Sequence, residues 1–289
     1  MTGRSGDSAV RLPDGRSLGY AEFGDPDGFT VLNCHGGLTS RLDVADCDEA
    51  ARAAGVRVIS PDRPGIGLSD REPERSLLDW PNDAAHLLDE LGVDQFSTFG
   101  WSAGGAYAAA CGFALGDRVR SVGLVASTVP PSAMTGNDNR MDRLFTRLST
   151  RAPVLDRLAF GAMGGFARVC PVAFHRLSAV GLDRSSRAKV MEMSPGAYSR
   201  AIATGLRHPA GVVDEYRILG SEWGFDPGQI AAPARIWQGD SDGFVPVEWS
   251  EWLAERLAKA DLVVCPGEGH FLALGRYPEI FAWFRAASP

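Results

Sequence analysis

Phe99-Gly100-Trp101-Ser102-Ala103-Gly104-Gly105 lies between an aromatic and β-branched run ending near Phe99 and an Ala-rich run beginning at Ala103. A serine with glycines two residues away on each side, at a strand-to-helix junction, has the form of a nucleophile elbow. The turn is so tight that only glycine or another very small residue fits at the flanking positions. That geometry lifts the Ser102 hydroxyl above the sheet edge and aims the first amides of the following helix at the same point. The five-residue pattern also matches Gly-rich turns with no catalytic role, so the rest of the chain must supply the partners.

Outward from this stretch, strands and helices alternate. Ala9–Leu12 and Leu18–Phe23 flank Pro13-Asp14-Gly15 and read as an antiparallel hairpin at a sheet edge. Thr30–Cys34 and Val56–Ser60 read as buried strands, with a helical period over Asp43–Ala54 between them. Leu77–Leu91 has an amphipathic helical period, closed by Gly92. Val119–Ala126 is a strand again, and the rhythm returns with strand Ala234–Trp237, helix Val247–Ala258, strand Leu262–Cys265 and helix Tyr277–Ala287. Alternation at this spacing predicts parallel pairing with right-handed crossovers. Between Pro130-Pro131 and the return no strand is evident, only helical fragments cut by residues such as Pro153, Gly161, Pro171, Gly181 and Pro195. The expected organisation is therefore a core of residues 1–128 and 227–289 with a helical insertion of residues 129–226.

Composition narrows the class. The chain has 289 residues, 45% of them hydrophobic and 22% charged, as in an ordinary soluble globule. A net charge of −7 speaks against a nucleic-acid partner, which needs a concentrated basic face. No stretch approaches a membrane span, and Met1–Asp7 lacks the apolar core of a secretory signal. The five cysteines are scattered without a C-x-x-C pair, so they are expected to be small buried hydrophobes in a reducing compartment. A cytoplasmic protein with a small-molecule substrate is the expectation. Charge is uneven: Val129–Phe225 carries 13 Arg and Lys against 8 Asp and Glu. Solvated helix faces account for such a surplus most simply, while a weakly basic lid over the site would suit an anionic substrate.

A serine nucleophile needs a base, a group that orients the base, and donors for the oxyanion. Of the five histidines, His86 lies within a helical run and His175 and His208 fall in the insertion. His35 stands at a strand end, where it is expected to fix the loop by hydrogen bonds. His270 follows the last strand in a glycine-loosened loop, Gly267-Glu268-Gly269-His270-Phe271, on the edge where ligands bind in parallel sheets. The loop after the preceding strand offers Asp240 and Asp242, and Asx-turn or capping chemistry suits Asp240. For the oxyanion, the backbone amide of Ala103 and one from His35-Gly36-Gly37 are available; Gly37 is assigned ahead of Gly36. Gly36, Leu38, Trp101 and Phe271 are the candidate substrate contacts. Asp89-Glu90 and Asp214-Glu215 lack metal-site spacing and read as solvated faces. Gly65-Ile66-Gly67 lacks the third glycine of a dinucleotide fingerprint, so neither a metal nor a cofactor is implied.

Together these motifs resemble those of a capped α/β-hydrolase. The likeness rests on Gly100-Trp101-Ser102-Ala103-Gly104, His35-Gly36-Gly37, Asp62-Arg63-Pro64-Gly65-Ile66-Gly67-Leu68-Ser69, Gly239-Asp240-Ser241-Asp242 with Val245-Pro246, and Gly267-Glu268-Gly269-His270-Phe271. The resemblance implies a mostly parallel eight-stranded sheet flanked by helices, a cap inserted after the sixth strand, and a Ser102–His270–Asp242 triad. It places the acid on Asp242. Leu38-Thr39-Ser40 replaces the Pro-Gly expected of proline iminopeptidase-like members, which speaks against a peptidase. Serine in place of an aspartate nucleophile disfavours dehalogenase and epoxide hydrolase chemistry. Cleavage of a carboxylic ester, thioester or lactone with a small-to-medium apolar acyl group is the expected reaction. Carbon–carbon bond hydrolysis and acyl transfer are alternatives on the same triad, and a ligand receptor with a vestigial site is an alternative of another class.

Overall fold

The computed structural model describes residues 7–135 and 140–287; Met1–Gly6, used in the sequence reading, lie outside the described residues. Strands β1 (Ser8–Arg11) and β2 (Ser17–Gly24) form the expected antiparallel hairpin. β3 (Phe29–Cys34), α1 (Asp48–Ala53) and β4 (Val56–Pro61) follow. Helix α1 is shorter than its period suggests because Asp43 is buried, its carboxylate taken by Asn33 and by the Gly36 amide. Then come α2 (Trp80–Glu90), β5 (Phe96–Trp101), α3 (Gly104–Ala114) and β6 (Val119–Val125).

The expected strandless stretch is a run of helices: α4 (Arg140–Arg151), α5 (Pro153–Val169), α6 (Pro171–Ser178), α7 (Arg184–Glu192), α8 (Pro195–Gly205) and α9 (Pro209–Leu219). Pro153, Pro171 and Pro195, read from the sequence as breaks, each open a helix. The first helical position has no intrahelical use for an N–H, and proline's fixed φ suits it. β7 (Ala234–Gly239), α10 (Val247–Arg256), β8 (Ala260–Cys265) and α11 (Ala273–Ala287) complete the chain. Helix α11 starts four residues before Tyr277 and runs through Pro278.

The eight strands form one sheet in the order β1-β2-β4-β3-β5-β6-β7-β8. β2 is antiparallel to both neighbours, and the pairs from β4 through β8 are parallel. β6 and β7 pair directly, Val125 opposite Trp237, although six helices separate them in sequence. Each sheet face carries its own core. Trp80 and Leu87 of α2, the alanines of α3 and Leu253 of α10 fill one; Ala51 of α1 and Tyr277, Phe281 and Phe284 of α11 fill the other. Nine of the eleven α3 residues are buried, so this helix is apolar all round and is gripped over its whole length. Burying one such aromatic as Phe284 stabilises the fold by about 1.5–3 kcal/mol.

Four cysteines, Cys34, Cys47, Cys111 and Cys265, are free and buried as expected. Cys170 departs from that reading: it is exposed, at the joint between α5 and α6. No described helix is long and apolar enough to cross a membrane.

Candidate active site

The ends of β3, β5, β7 and β8 open on the same side, as parallel strands require, and the candidate residues sit at the last residue of β5 or in the segments that follow β3, β5, β7 and β8. Register brings them together. Cys34 lies opposite Gly100, which sets the His35-Gly36-Gly37 loop beside the elbow, and Gly239 lies opposite Cys265, which sets the Asp242 loop beside the His270 loop.

Ser102 has φ 56°, the left-handed conformation that L residues other than Asn and Asp seldom adopt. Its backbone is held there by hydrogen bonds from its N–H to the Val125 carbonyl (2.9 Å) and from the Gly105 and Thr128 amides to its own carbonyl (3.0 and 3.1 Å). The glycines around it are demanded by contact. A Cβ on Gly104 would lie 1.9 Å from the Cys34 carbonyl oxygen, and one on Gly100 would lie 2.3 Å from that of Gly104. Strain at one residue, fixed by an over-determined backbone, is a recurring feature of functional sites.

His270 is 8% exposed, and its Nδ1 donates to Asp242 Oδ2 at 2.9 Å. The other Asp242 oxygen accepts from the amides of Phe244 (2.7 Å) and Val245 (3.0 Å). Burial pushes the Asp242 carboxyl up, but the positive charge available on His270, its hydrogen bond and these two amides outweigh it, so the group stays below the usual carboxylate range. Asp240 has another job: its Oδ1 accepts from the Gly267 amide at 2.7 Å and ties the two loops together. Trp101 Nε1 donates to the His270 carbonyl at 2.9 Å, and the imidazole is surrounded by the rings of Trp101, Phe244 and Phe271, with centroids 5.8, 4.9 and 5.8 Å away. No hydrogen bond links Ser102 Oγ to His270 among the described residues; in unliganded sites this contact is commonly long.

In the loop after β3 the Gly36 amide is already engaged, donating to Asp43 Oδ2 at 2.8 Å. This separates it from Gly37, where a Cβ would stand 3.6 Å from that of Ala103. Leu38 follows in a left-handed conformation, φ 61°. His35 is fully buried; its Nδ1 donates to the Gly36 carbonyl at 2.8 Å and its Nε2 accepts from the Arg63 amide at 3.3 Å. Burial, reinforced by the Arg63 charge, drops its pKa to about 3, so it stays neutral and serves the loop as expected.

Gly36, Gly37, Leu38, Trp101, Ser102, Ala103, His270 and Phe271 all line one cavity of about 390 Å³, while Asp242 stands behind His270. Its far wall comes from the insertion: Phe145, Met193, Tyr198, Ile202 and Tyr216. A smaller cavity of about 270 Å³ shares Ser102, Ala103 and His270 and is lined further by Thr128, Arg143, Thr146 and Arg147. The serine thus stands where the two meet. Phe145, Met193, Tyr198 and Tyr216 of the insertion thus line the larger cavity, whereas Trp223 and Phe225 pack into the main core.

Sequence reasoning missed three carboxylates here. Asp142 of α4 lines both cavities; burial pushes its carboxyl up, against the opposing effect of a hydrogen bond from Tyr216. Asp214 and Glu215, read as a solvated face, are buried on α9. Asp214 pairs with Arg71 at 2.5 Å. Glu215 accepts from Arg63 Nε (2.7 Å) and Nη2 (2.6 Å), from Arg75 Nη2 (2.9 Å) and from the Tyr107 hydroxyl (3.2 Å). The same Arg63 donates to the carbonyls of His35 (2.5 Å) and Gly36 (3.2 Å). Polar residues of a surface-like helical period were drawn inward by arginines far away in the chain. Asp89 and Glu90 are exposed, as read. Among the described residues no group of His, Cys, Asp and Glu could hold a metal ion.

The model of the Alpha/beta hydrolase family matches residues 32–282. Among solved structures, the chain is similar to an esterase from Thermogutta terrifontis, at 20% identity and TM-score 0.70, over 98% of this chain and 100% of that one. It is similar to an esterase from Rhodococcus sp. ECU1013, at 21% identity and TM-score 0.70, over 98% and 99% of the two chains. It is also similar to a bromoperoxidase from Bacillus anthracis, at 22% identity and TM-score 0.73, over 97% and 100%. At these identities the likeness is one of fold. No curated protein matches the chain.

Proposed function

From the premise that this chain belongs to the Alpha/beta hydrolase family, we propose that it is a serine hydrolase cleaving carboxylic esters through an acyl-enzyme, with residues 129–226 acting as a cap. The observation that carries this reading is that His270, bonded from behind by Asp242 at 2.9 Å, lines one apolar cavity with the strained Ser102.

In the proposed course, Ser102 Oγ attacks the ester carbonyl carbon while His270 Nε2 takes its proton. Asp242 holds the imidazole with Nδ1 as donor and balances the imidazolium charge. The developing oxyanion takes hydrogen bonds from the Gly37 and Ala103 amides, fixed donors that need no reorganisation. The carbon–oxygen bond to the alcohol breaks, and the alcohol leaves with the proton from His270. Water then gives its proton to His270 and its hydroxyl to the acyl carbon, releasing the acid and restoring Ser102.

The larger lobe, walled by Leu38, Phe145, Met193 and Phe271, fits an apolar acyl group of small to medium length, and the smaller lobe with Thr128 and Arg143 takes the alcohol side. Labelling with a fluorophosphonate, with Ser102→Ala as control, tests activation of the serine. A panel of esters of increasing acyl length then sizes the lobe. An unlabelled native protein, or equal labelling of the variant, would overturn the reading.

A further inference from the structure

The large apolar side chains that this protein leaves exposed are concentrated in the insertion. Helix α5 shows why. Val154, Leu155, Leu158, Phe166 and Val169 fall within about a third of the helix circumference at 100° per residue, and all are exposed, Val169 by 74% and Leu158 by 66%. The opposite side, with Phe160, Gly164 and Ala167, is buried against α8 and α9. Nothing in the internal packing of α5 calls for an apolar outer face. Helix α6 packs beside α5 and extends the surface with Val172 (49% exposed) and Leu177 (61%), and Val180 (67%) follows directly.

The charges on this surface have one sign. From Leu144 to Val180 the sequence holds five arginines and a single acid, Asp156. The acid is turned inward, bonded by the Ser149 hydroxyl, while Arg151, Arg157, Arg168 and Arg176 are exposed; Arg147 lies away from this face, at the smaller cavity. An exposed apolar stripe edged only by cations has the composition of a helix that lies in a bilayer interface. The insertion's surplus of positive charge, on a chain whose total is −7, points this side toward anionic headgroups and the rest of the molecule away. A second copy fits less well, because a two-fold pairing would set these arginines against their own images.

We propose that the outer face of α5 and α6 docks this protein on a bilayer surface that contains anionic phospholipid. Flotation of the full chain with phosphatidylcholine vesicles, with and without a one-third fraction of phosphatidylglycerol, tests it. Binding is expected only with phosphatidylglycerol and should weaken in high salt. Leu158→Asp with Val169→Asp should abolish binding with thermal stability unchanged, since both side chains are exposed. Arg157→Gln with Arg168→Gln should lower the partition coefficient by about 30-fold. No binding to either vesicle, or binding indifferent to phosphatidylglycerol and to these variants, would overturn the proposal. A dimer by light scattering that Leu158→Asp dissociates, in a protein that leaves vesicles unbound, would assign the face to a second copy instead. The readout is bound protein, so it is independent of esterase activity.

Discussion

Glu215 on α9 and Arg63 in the loop after β4 meet through two hydrogen bonds, 2.7 and 2.6 Å long, with both side chains buried. The third nitrogen of the guanidinium reaches the His35 carbonyl. One side chain therefore binds the insertion and the loop carrying Gly37.

Glu215→Gln should destabilise the protein by about 3–5 kcal/mol, because Arg63 and Arg75 would remain buried without their carboxylate. Thermal unfolding measures the loss. The acid limb has a definite sign as well. Burial raises the Glu215 pKa, but Arg63 and Arg75 pull it down to about 2, so its stabilisation is complete above the unfolded value near 4.5 and is lost as pH falls from there toward 2. The variant should lack that part of the acid transition; an unchanged melting temperature and acid limb would contradict the assignment.

Asp43 has the opposite sign. Burial raises its pKa to about 6 despite hydrogen bonds from the Gly36 amide and Asn33. The folded state then holds this proton more tightly than the unfolded chain does, and the contribution is lost as pH rises from about 4 through 6. Asp43→Asn should gain on the native protein over that interval, by on the order of 3 kcal/mol at most, with no further change at higher pH. Chemical denaturation at pH 4 and 7 checks it; a variant that loses stability relative to the native protein, or keeps an unchanged difference, between these values would refute it.

Asp242→Asn should leave the fold intact and lower kcat by on the order of 10⁴, since an amide cannot hold the imidazole in the required tautomer. Steady-state rates beside a melting curve separate the two effects. A variant with native turnover would remove Asp242 from the proposed triad.

Arg143 and Arg147 beside the smaller lobe predict a charge preference. For an ester whose alcohol carries a carboxylate, kcat/KM should fall with ionic strength, while a neutral ester of the same acyl group should not respond. Equal responses would argue against an anionic alcohol.

The tight turn at Ser102 and the loops that carry Asp242 and His270 were legible because each rests on local chemistry: a glycine where a Cβ has no room, or a loop that must follow a given strand; the preference for Asp242 over Asp240 came from the family resemblance. The glycines at the end of β3 were readable for the same reason, and the structure tells them apart: the Gly36 amide is engaged by Asp43. Asp214 and Glu215 were misread because burial is not a local property. Nothing within α9 reveals that Arg63, 152 residues away, will meet Glu215. Phe145, Met193 and Tyr216 lie in the helical insertion, and whether an apolar residue there packs among its own helices or walls the cavity is decided by docking alone.

The direct pairing of β6 with β7 makes the insertion a detachable module in outline: the chain leaves and re-enters the sheet on adjacent strands, one hydrogen-bonded spacing apart. A foreign helical module could be spliced at those ends without breaking a ladder. Such a graft must bring its own acid to the place of Glu215, or replace Arg63 and Arg75 in the host as well. Exchange of this helical run is thus constrained by two buried cations as well as by the spacing of its ends.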